Sequence, residues 1–256
     1  IALLFVLLIG RLIYFSIFKN GIYKRQVLSQ QNYSSETLPY KRGDILDRDG
    51  NTLATSQKMY TLVLEPKNIL RSEEVQKSTI DALHKYMKLD EDKLLKFIKR
   101  HKDSYYSVYR EELSYSQIAD LKDFIASDKA ENVSGIVFNE KYKRRYPNQS
   151  LASQVIGFIS DGTIGTGGIE QYYNSTLSGV DGRKYKYLNE ELEQDSSIVE
   201  PENGKTVVTT IDSNIQKLAE DQLSKFEKKY GSKGSSILVM NPNNGEIYAM
   251  ANSTSY

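Results

Sequence analysis

The hydrophobic pattern of this chain changes period several times, and each change marks a different kind of element. Residues Ile1 to Phe18 read IALLFVLLIGRLIYFSIF, apolar apart from Gly10, Arg11 and Ser16. About 20 such residues cross a bilayer as a helix, so the run predicts a transmembrane anchor over 1–18. Arg11 would cost about 2.5–3.5 kcal/mol at mid-bilayer, and less if residues before Ile1 move it toward a headgroup it can reach by snorkelling. No small-x-small cleavage site follows the run, which argues against a removed signal peptide. Lys19 to Tyr40 is polar and rich in Gln and Ser, with a periodicity that predicts a helix leaving the membrane before a loop.

Beyond Tyr40 the period alternates between that of strands and that of helices. Tyr60 to Glu65 (YTLVLE) predicts a strand closed by Pro66. Glu73 to Leu89 carries Val75, Ile80, Leu83, Tyr86 and Met87 at helical spacing, and Asp90 then caps a second helix with Leu94, Leu95 and Ile98 on one face. Ser114-Tyr115-Ser116-Gln117 reads as a capping box ahead of Ile118, Leu121, Phe124 and Ile125. The charged, helical stretch from Glu73 to Asp128 therefore reads as a subdomain inserted between sheet-forming segments.

Strand spacing returns at Gly135 to Lys141. Leu151 to Ile159 predicts a short apolar helix, Gly162 to Gly168 a glycine-rich loop, and Asp181-Gly182 a hairpin turn. Thr206 to Ile211 predicts a strand. Ser213-Asn214-Ile215-Gln216 reads as a second capping box, opening a helix with Ile215, Leu218, Ala219, Leu223 and Phe226. Ile237 to Met240 and Ile247 to Ala251 flank Asn241-Pro242-Asn243-Asn244-Gly245 as a hairpin. The chain begins at Ile1 rather than methionine and stops at Tyr256 just after an apolar strand pattern, so both ends read as cut.

Composition narrows the function classes. With 39% hydrophobic and 26% charged residues the chain is an ordinary globular protein. A net charge of +1 gives no basic excess to neutralise phosphates, so nucleic acid is not an expected partner. The absence of cysteine excludes disulfides, thiolate zinc sites and thiol nucleophiles.

Several chemistries fail on position. Gly204-Lys205-Thr206 imitates the end of a phosphate-binding loop, but Val199 stands where the first glycine is needed. Asp47-Arg48-Asp49-Gly50-Asn51 imitates the start of a calcium loop, but Thr52 replaces the sixth-position glycine and Lys58 the twelfth-position glutamate. His84 and His101 lie on charged helices and read as solvated surface. No Gly-x-Ser-x-Gly elbow occurs. Asp47 and Glu170 could form a glycosidase carboxylate pair, but their neighbouring glycines and arginines favour loop-fixing ion pairs. No catalytic, cofactor-binding or metal-binding residue is expected, and no cofactor.

Four segments carry a family resemblance, in order along the chain. The first is Arg42-Gly43 with Asp47-Arg48-Asp49-Gly50 and Leu53-Ala54. The second is Arg144-Arg145-Tyr146-Pro147 followed by Leu151-Ala152-Ser153-Gln154-Val155-Ile156-Gly157. The third is Gly165-Thr166-Gly167-Gly168-Ile169-Glu170. The last is Val207-Val208-Thr209-Thr210-Ile211-Asp212 with Ile215-Gln216 and Ala219-Glu220, then Asn241 to Met250. Together they resemble the N-terminal half of class B penicillin-binding proteins, the membrane-anchored D,D-transpeptidases that cross-link bacterial peptidoglycan. The resemblance covers essentially the whole chain.

The resemblance implies an α+β protein: a transmembrane helix (1–18), an elongated pedestal or dimerisation domain with a helical subdomain (19–200), and the first helix and β-hairpin of a truncated transpeptidase domain (201–256). It implies a single-pass protein at the cell membrane with its bulk outside the cytoplasm. The implied partners are the bacterial cytoplasmic membrane and cell-wall synthesis proteins. Peptidoglycan stem peptides and β-lactams would be met only through the missing part. The family's acylating serine lies in Ser-x-x-Lys, followed by Ser-x-Asn and Lys-Thr/Ser-Gly. Here the only Ser-x-x-Lys is Ser16-Ile17-Phe18-Lys19, at the membrane run, and the other two motifs are absent. The chain is therefore expected to be inactive by itself. Arg42, Asp47 and Arg48 are expected to pair with the Arg144-Arg145 and Glu170 segments, as structural residues. A non-catalytic, membrane-bound scaffold for wall synthesis is the competing reading. A glycosyltransferase-bearing relative is disfavoured by the short path from anchor to pedestal.

Overall fold

The computed structural model describes residues 34–160, 163–188, 194–232 and 234–253. The expected anchor at 1–18 lies outside the described residues, as does most of the helix expected over 19–40. Within that range Ser34–Leu38 is a strand, β1, rather than helix. Among the described residues no helix is long and apolar enough to cross a membrane. The chain divides into two compact units, residues 56–145 and the remainder.

After β1 come the two-residue β2 (Ile45–Leu46) and the long β3 (Thr52–Leu64), which begins in the first unit and continues in the second. In the second unit, β3 is followed by the short helix α1 (Pro66–Ile69), with Pro66 in the first turn, where its missing N–H costs nothing. Then follow α2 (Glu73–Met87), α3 (Glu91–Arg100), β4 (Ser107–Leu113), α4 (Tyr115–Ile125) and β5 (Ile136–Arg145). Two expected caps are present: Asp90 accepts the Lys93 N–H at 2.9 Å, and Gln117 Oε1 accepts the Ser114 N–H at 2.8 Å. Ser72, which the sequence reading did not single out, caps α2 by accepting the Val75 N–H at 3.2 Å. Both β4 and β5 pair with β3. The helices bury their apolar stripes against this sheet, enclosing Leu62, Leu64, Leu83, Leu94, Ile98, Ile118 and Leu121. Tyr86 and Phe124 stack at 4.8 Å between α2 and α4. The helical stretch expected over 73–128 lies within this larger unit, which has its own core and packs β4 and β5 on the part of β3 that it contains.

Back in the first unit, the expected helix over 151–159 shrinks to α5 (Ser153–Ile156). Gly157 at φ +79 ends it, and the chain turns at once into β6 (Phe158–Ser160), which pairs with β7 (Ile164–Thr166). The stretch expected as a glycine-rich loop thus contains a strand. Two short helices follow, α6 (Gly168–Tyr172) and α7 (Asn174–Leu177). Asp181-Gly182 is not a hairpin turn. Gly182 opens β8 (Gly182–Leu188), which lies between β1 and β9 (Gln194–Val199), and Asp181 Oδ1 accepts the Tyr40 N–H at 3.0 Å. The expected strand at 206–211 is only β10 (Val207–Val208), parallel to β2. Helix α8 (Ser213–Tyr230) then packs Ala219 and Leu223 on Ala249 and Ala251 of the hairpin β11 (Ser236–Met240) and β12 (Ile247–Asn252). A separate small core gathers Ile45, Leu53, Ala54, Ala152, Ile156 and Leu177.

Candidate functional site

Several residues singled out in the sequence take part in polar contacts in the first unit, of which three join segments distant in the chain. In the first, Arg42 sits just before β2 and Glu170 in α6, 128 residues apart, and both are buried. The guanidinium donates through Nε to Glu170 Oε2 at 2.9 Å and through Nη2 to the Glu170 carbonyl at 3.0 Å. Its Nη1 donates to Ser178 Oγ at 2.7 Å. The Nη2–Oε2 distance is 2.8 Å. Tyr146 adds its hydroxyl to Glu170 Oε1 at 3.3 Å. A planar fork matched to a carboxylate suits a buried arginine, because its donors are otherwise expensive to leave unmade. Gly43 follows directly, and a Cβ there would stand 1.9 Å from the Lys205 carbonyl oxygen.

The second contact is the acidic loop. Asp47 is fully buried, and its Oδ1 accepts the N–H groups of Asp49 (2.9 Å) and Asn51 (2.8 Å). Its Oδ2 accepts from Asn51 Nδ2 (2.9 Å) and Ser213 Oγ (2.6 Å). Burial alone would raise the pKa of this carboxyl. The bonds from Ser213, from the Asn51 side chain and from the two backbone N–H groups outweigh it and hold the pKa at about 2. Ser213 thus serves Asp47 and not the helix, correcting the expected capping box. Asp212 is the cap of α8, accepting from the N–H groups of Asn214 (3.0 Å) and Ile215 (3.1 Å). Asp and Ser cap about equally well, so the box pattern beginning one residue later concealed Asp212. Arg48 lies over the Tyr248 ring at 4.4 Å, whereas Glu170 is engaged by Arg42.

The third contact was not read from the sequence. Fully buried Gln216 donates through Nε2 to the Met250 carbonyl (2.9 Å) and to Glu220 Oε1 (2.8 Å), and accepts the Met250 N–H (2.8 Å). Glu220 Oε1 also accepts the N–H of Ala152, a non-glycine residue held at φ +54. The signal available was a glutamine on the apolar face of an amphipathic helix.

The remaining singled-out residues fall elsewhere. Arg144 and Arg145 end β5 in the second unit, where they donate to Ser56 Oγ (3.1 Å) and Gln57 Oε1 (3.2 Å). Pro147 is exposed. Gly50 is in the acidic loop at φ +85, Gly165 is in β7, and Gly168 opens α6. Asp47 and Glu170 each have their own hydrogen-bond partners, as loop-fixing carboxylates do. His84 and His101 place Nδ1 on backbone carbonyls of Leu89 (2.8 Å) and Phe97 (2.9 Å). Among the described residues no group of three or more His, Cys, Asp or Glu converges to hold a metal. A cleft of about 320 Å³ beside Glu220 is lined by Ser150, Ser153, Ser224 and Glu227 among others, with no lysine or histidine to activate a hydroxyl.

A family model described as the penicillin-binding protein dimerisation domain matches residues 37–209. The chain is 28% identical to a probable peptidoglycan D,D-transpeptidase, PenA, of Neisseria meningitidis, over 100% of this chain and 43% of that protein. It overlays penicillin-binding protein 2X of Streptococcus thermophilus with a TM-score of 0.72 at 25% identity, covering 87% of this chain and 36% of that one. It also overlays PBP2 of Helicobacter pylori, solved in complex with MreC, with a TM-score of 0.57 at 23% identity, over 87% and 43% of the two chains. The chain spans about two-fifths of the length of the curated relatives it matches. The matched region contains the Arg42–Glu170 pair, the acidic loop and the whole second unit, and the chain belongs to the penicillin-binding protein dimerisation-domain family, within the class B penicillin-binding proteins.

Proposed function

We propose that the chain is the pedestal portion of a membrane-anchored peptidoglycan D,D-transpeptidase active in cell-wall synthesis, with the reaction carried by sequence beyond it. In this reading residues 1–18 are the single-pass anchor, 19–200 the pedestal, and 201–256 the opening of the transpeptidase domain, all but the anchor outside the cytoplasm. The observation that carries the reading is the set of long-range contacts at the family motifs. Arg42 holds Glu170, and Asp47 holds Ser213 at the start of α8. Arg42 and Glu170 are bonded to each other, Asp47 to Asn51 and Ser213, and Arg144 and Arg145 to Ser56 and Gln57. The relative from Neisseria is named a transpeptidase, and this activity is extended here to the intact protein. The Helicobacter neighbour was solved with MreC, and a partner from the wall-synthesis machinery is proposed for this chain on the same footing.

The test is labelling with a fluorescent penicillin. The intact protein should be acylated, lose the label when the serine of its Ser-x-x-Lys is changed to alanine, and leave the 256-residue chain unlabelled. Acylation of this chain alone, or an intact protein that ends soon after Tyr256 without a Ser-x-x-Lys, refutes the enzyme reading in favour of a scaffold.

A further inference from the structure

Helix α8 and the hairpin β11–β12 form a layer whose core is separate from that of the rest of the first unit. One core is centred on Ala219, Leu223, Ala249 and Ala251, the other on Ile45, Leu53 and Ile156. Among the described residues no side chain belongs to both. The hydrogen bonds that join the layer to its surroundings gather at two places. The first is the start of α8, where Ser213 donates to Asp47 at 2.6 Å and the Arg48 N–H donates to the Ile211 carbonyl at 2.9 Å. Arg48 also lies over the Tyr248 ring of β12 at 4.4 Å, so two successive residues grip the helix and the hairpin together. The second place is two turns further along α8, where Glu220 Oε1 reaches across to accept the Ala152 N–H at 2.8 Å.

The joint around Glu220 is open. Clefts of about 320 and 360 Å³ lie between α8 and residues 147–154, and Glu220 lines both. Interiors normally pack with few voids larger than a water molecule, so facing atoms across such spaces lack the contacts that hold a core rigid. The facing segment is itself strained, with the non-glycine residues Gln149 and Ala152 at φ +56 and +54. The grip is reinforced where Thr209 donates twice to the Leu46 carbonyl, through its N–H at 2.9 Å and its hydroxyl at 3.0 Å. The single bond at Glu220 is therefore the contact that yields first. A layer with its own core, gripped at one end and propped at one point over open space, has the parts of a hinge.

We propose that α8 and its hairpin pivot as a body about the Asp47–Ser213 and Arg48–Tyr248 contacts, and that Glu220 on the Ala152 N–H is the strut that fixes their angle. Releasing the strut lets the clefts widen or close while both cores stay folded. The role of the pivot rests on the reading that α8 opens the transpeptidase domain, in which case the strut sets how that domain stands on the pedestal.

The full chain contains no cysteine, so in nanodiscs a pair of introduced cysteines takes spin labels cleanly. Asn148→Cys and Lys228→Cys, both at exposed positions, place labels on the two walls of the joint, and their distance is read by electron paramagnetic resonance. Lys228 stands about 22 Å along the helix from Ser213, so a pivot of about 15° moves it by about 6 Å. The parent and Glu220→Gln, whose amide oxygen still accepts the Ala152 N–H, should each give one narrow distance. Glu220→Ala should shift or broaden it by about 6 Å, and Glu227→Ala, at a carboxylate lining the same cleft, should not. The Ile156 N–H, bonded to the Ala152 carbonyl at 2.8 Å, and the Met250 N–H, bonded to Gln216 at 2.8 Å, should keep parental hydrogen exchange in every variant. In the parent the Ala152 N–H should exchange about 100-fold faster than either, relative to intrinsic rates. An unmoved distance in Glu220→Ala overturns the proposal, as does an equal shift in Glu220→Gln or Glu227→Ala. So does loss of protection at Ile156 and Met250 in Glu220→Ala, or equal exchange of all three amides in the parent. In the intact protein Glu220→Ala should change the rate of penicillin acylation by at least about fivefold and Glu220→Gln should leave it unchanged, and equal rates in both overturn the role given to the strut. Distances and exchange are read without acylation, so an intact protein inert to penicillin refutes the transpeptidase reading alone, and an unmoved distance refutes the pivot alone.

Discussion

Cutting either member of the Arg42–Glu170 pair should destabilise the first unit far more than its surface appearance in sequence suggests. With Arg42→Ala, Glu170 loses two charge-assisted contacts at 2.8 and 2.9 Å and stays buried, while Ser178 Oγ and the Glu170 carbonyl each lose a donor. Two lost bonds to a charge, at about 1.5–3 kcal/mol each, already bracket the measured cost of breaking buried pairs, about 3–5 kcal/mol. Glu170→Ala should cost about the same, because a buried guanidinium is then left behind. The double change removes both charges and should cost much less than the sum, giving a coupling of at least about 2 kcal/mol. A volume-matched Arg42→Met with Glu170→Leu should recover most of the loss. Because the chain has two units, the assay must report on the first alone. The Gly43 N–H, bonded to the Leu177 carbonyl at 2.8 Å, exchanges with solvent only when this junction opens. Its exchange in D2O should accelerate by two to three orders of magnitude in either single variant, at about 1.4 kcal/mol per decade, while amides around Ile98 stay protected. Single changes that each cost under about 1 kcal/mol and add within about 0.5 kcal/mol refute the reasoning.

Other perturbations separate the remaining contacts. Asp47 has its folded pKa lowered to about 2 from 3.8, so its stabilisation is full above about pH 4 and is lost as pH falls through about 2. The loss should be at most about 2 kcal/mol, seen as a falling urea midpoint between about pH 4.5 and 2.5, and absent in Asp47→Asn, whose midpoint is lower throughout. Gly43→Ala places a methyl 1.9 Å from the Lys205 carbonyl and should prevent the first unit from folding, whereas Gly50→Ala meets no atom within 4 Å and should cost only the left-handed strain, about 1–2 kcal/mol by thermal melts. Asp212→Ala should cost about 1 kcal/mol as a lost cap, with faster amide exchange confined to the first turn of α8. Leu94→Ala, at a fully buried site of the second unit, should cost about 2–5 kcal/mol there and leave Gly43 exchange unchanged.

The second unit was the most legible part of the fold. Its helices carry 3.6-residue stripes long enough to state a period, and Asp90 and the Ser114–Gln117 pair mark two of their starts by local chemistry. The first unit was less legible because its elements are short. Helix α5 has four residues and β10 two, too few to display a period, and their form is set by neighbours far away in the chain. Asp181-Gly182 has the composition of a hairpin turn but is held extended between β1 and β9, a case where tertiary pairing overrides turn chemistry. For the motif residues, sequence supplied which residues matter and the segments they join. It did not supply the partners: Arg42 rather than Arg48 takes Glu170, because that choice depends on which side of the β2 turn each arginine leaves.

The same distinction explains why charged residues carry the family resemblance when apolar ones carry the stability. An interior built from Ile45, Leu53, Ala54, Ala152, Ile156 and Leu177 would be filled nearly as well by other aliphatic residues in other registers. A buried arginine has no such tolerance, since only one arrangement of the chain brings a carboxylate, a hydroxyl and a carbonyl to its three nitrogens. The pair adds little over an apolar substitute in the correct fold, but each wrong docking of α6 against the segment before β2 leaves two buried charges unmet. The energy gap against misdocked states is therefore larger than the pair's net contribution to the native one. Arg42→Met with Glu170→Leu is informative for this reason: native stability near the parent, accompanied by slower refolding or multiple conformers of α6 in NMR spectra, would show that the ion pair acts by excluding alternatives. A double variant that refolds to one conformer at the parental rate would assign the whole specification to packing.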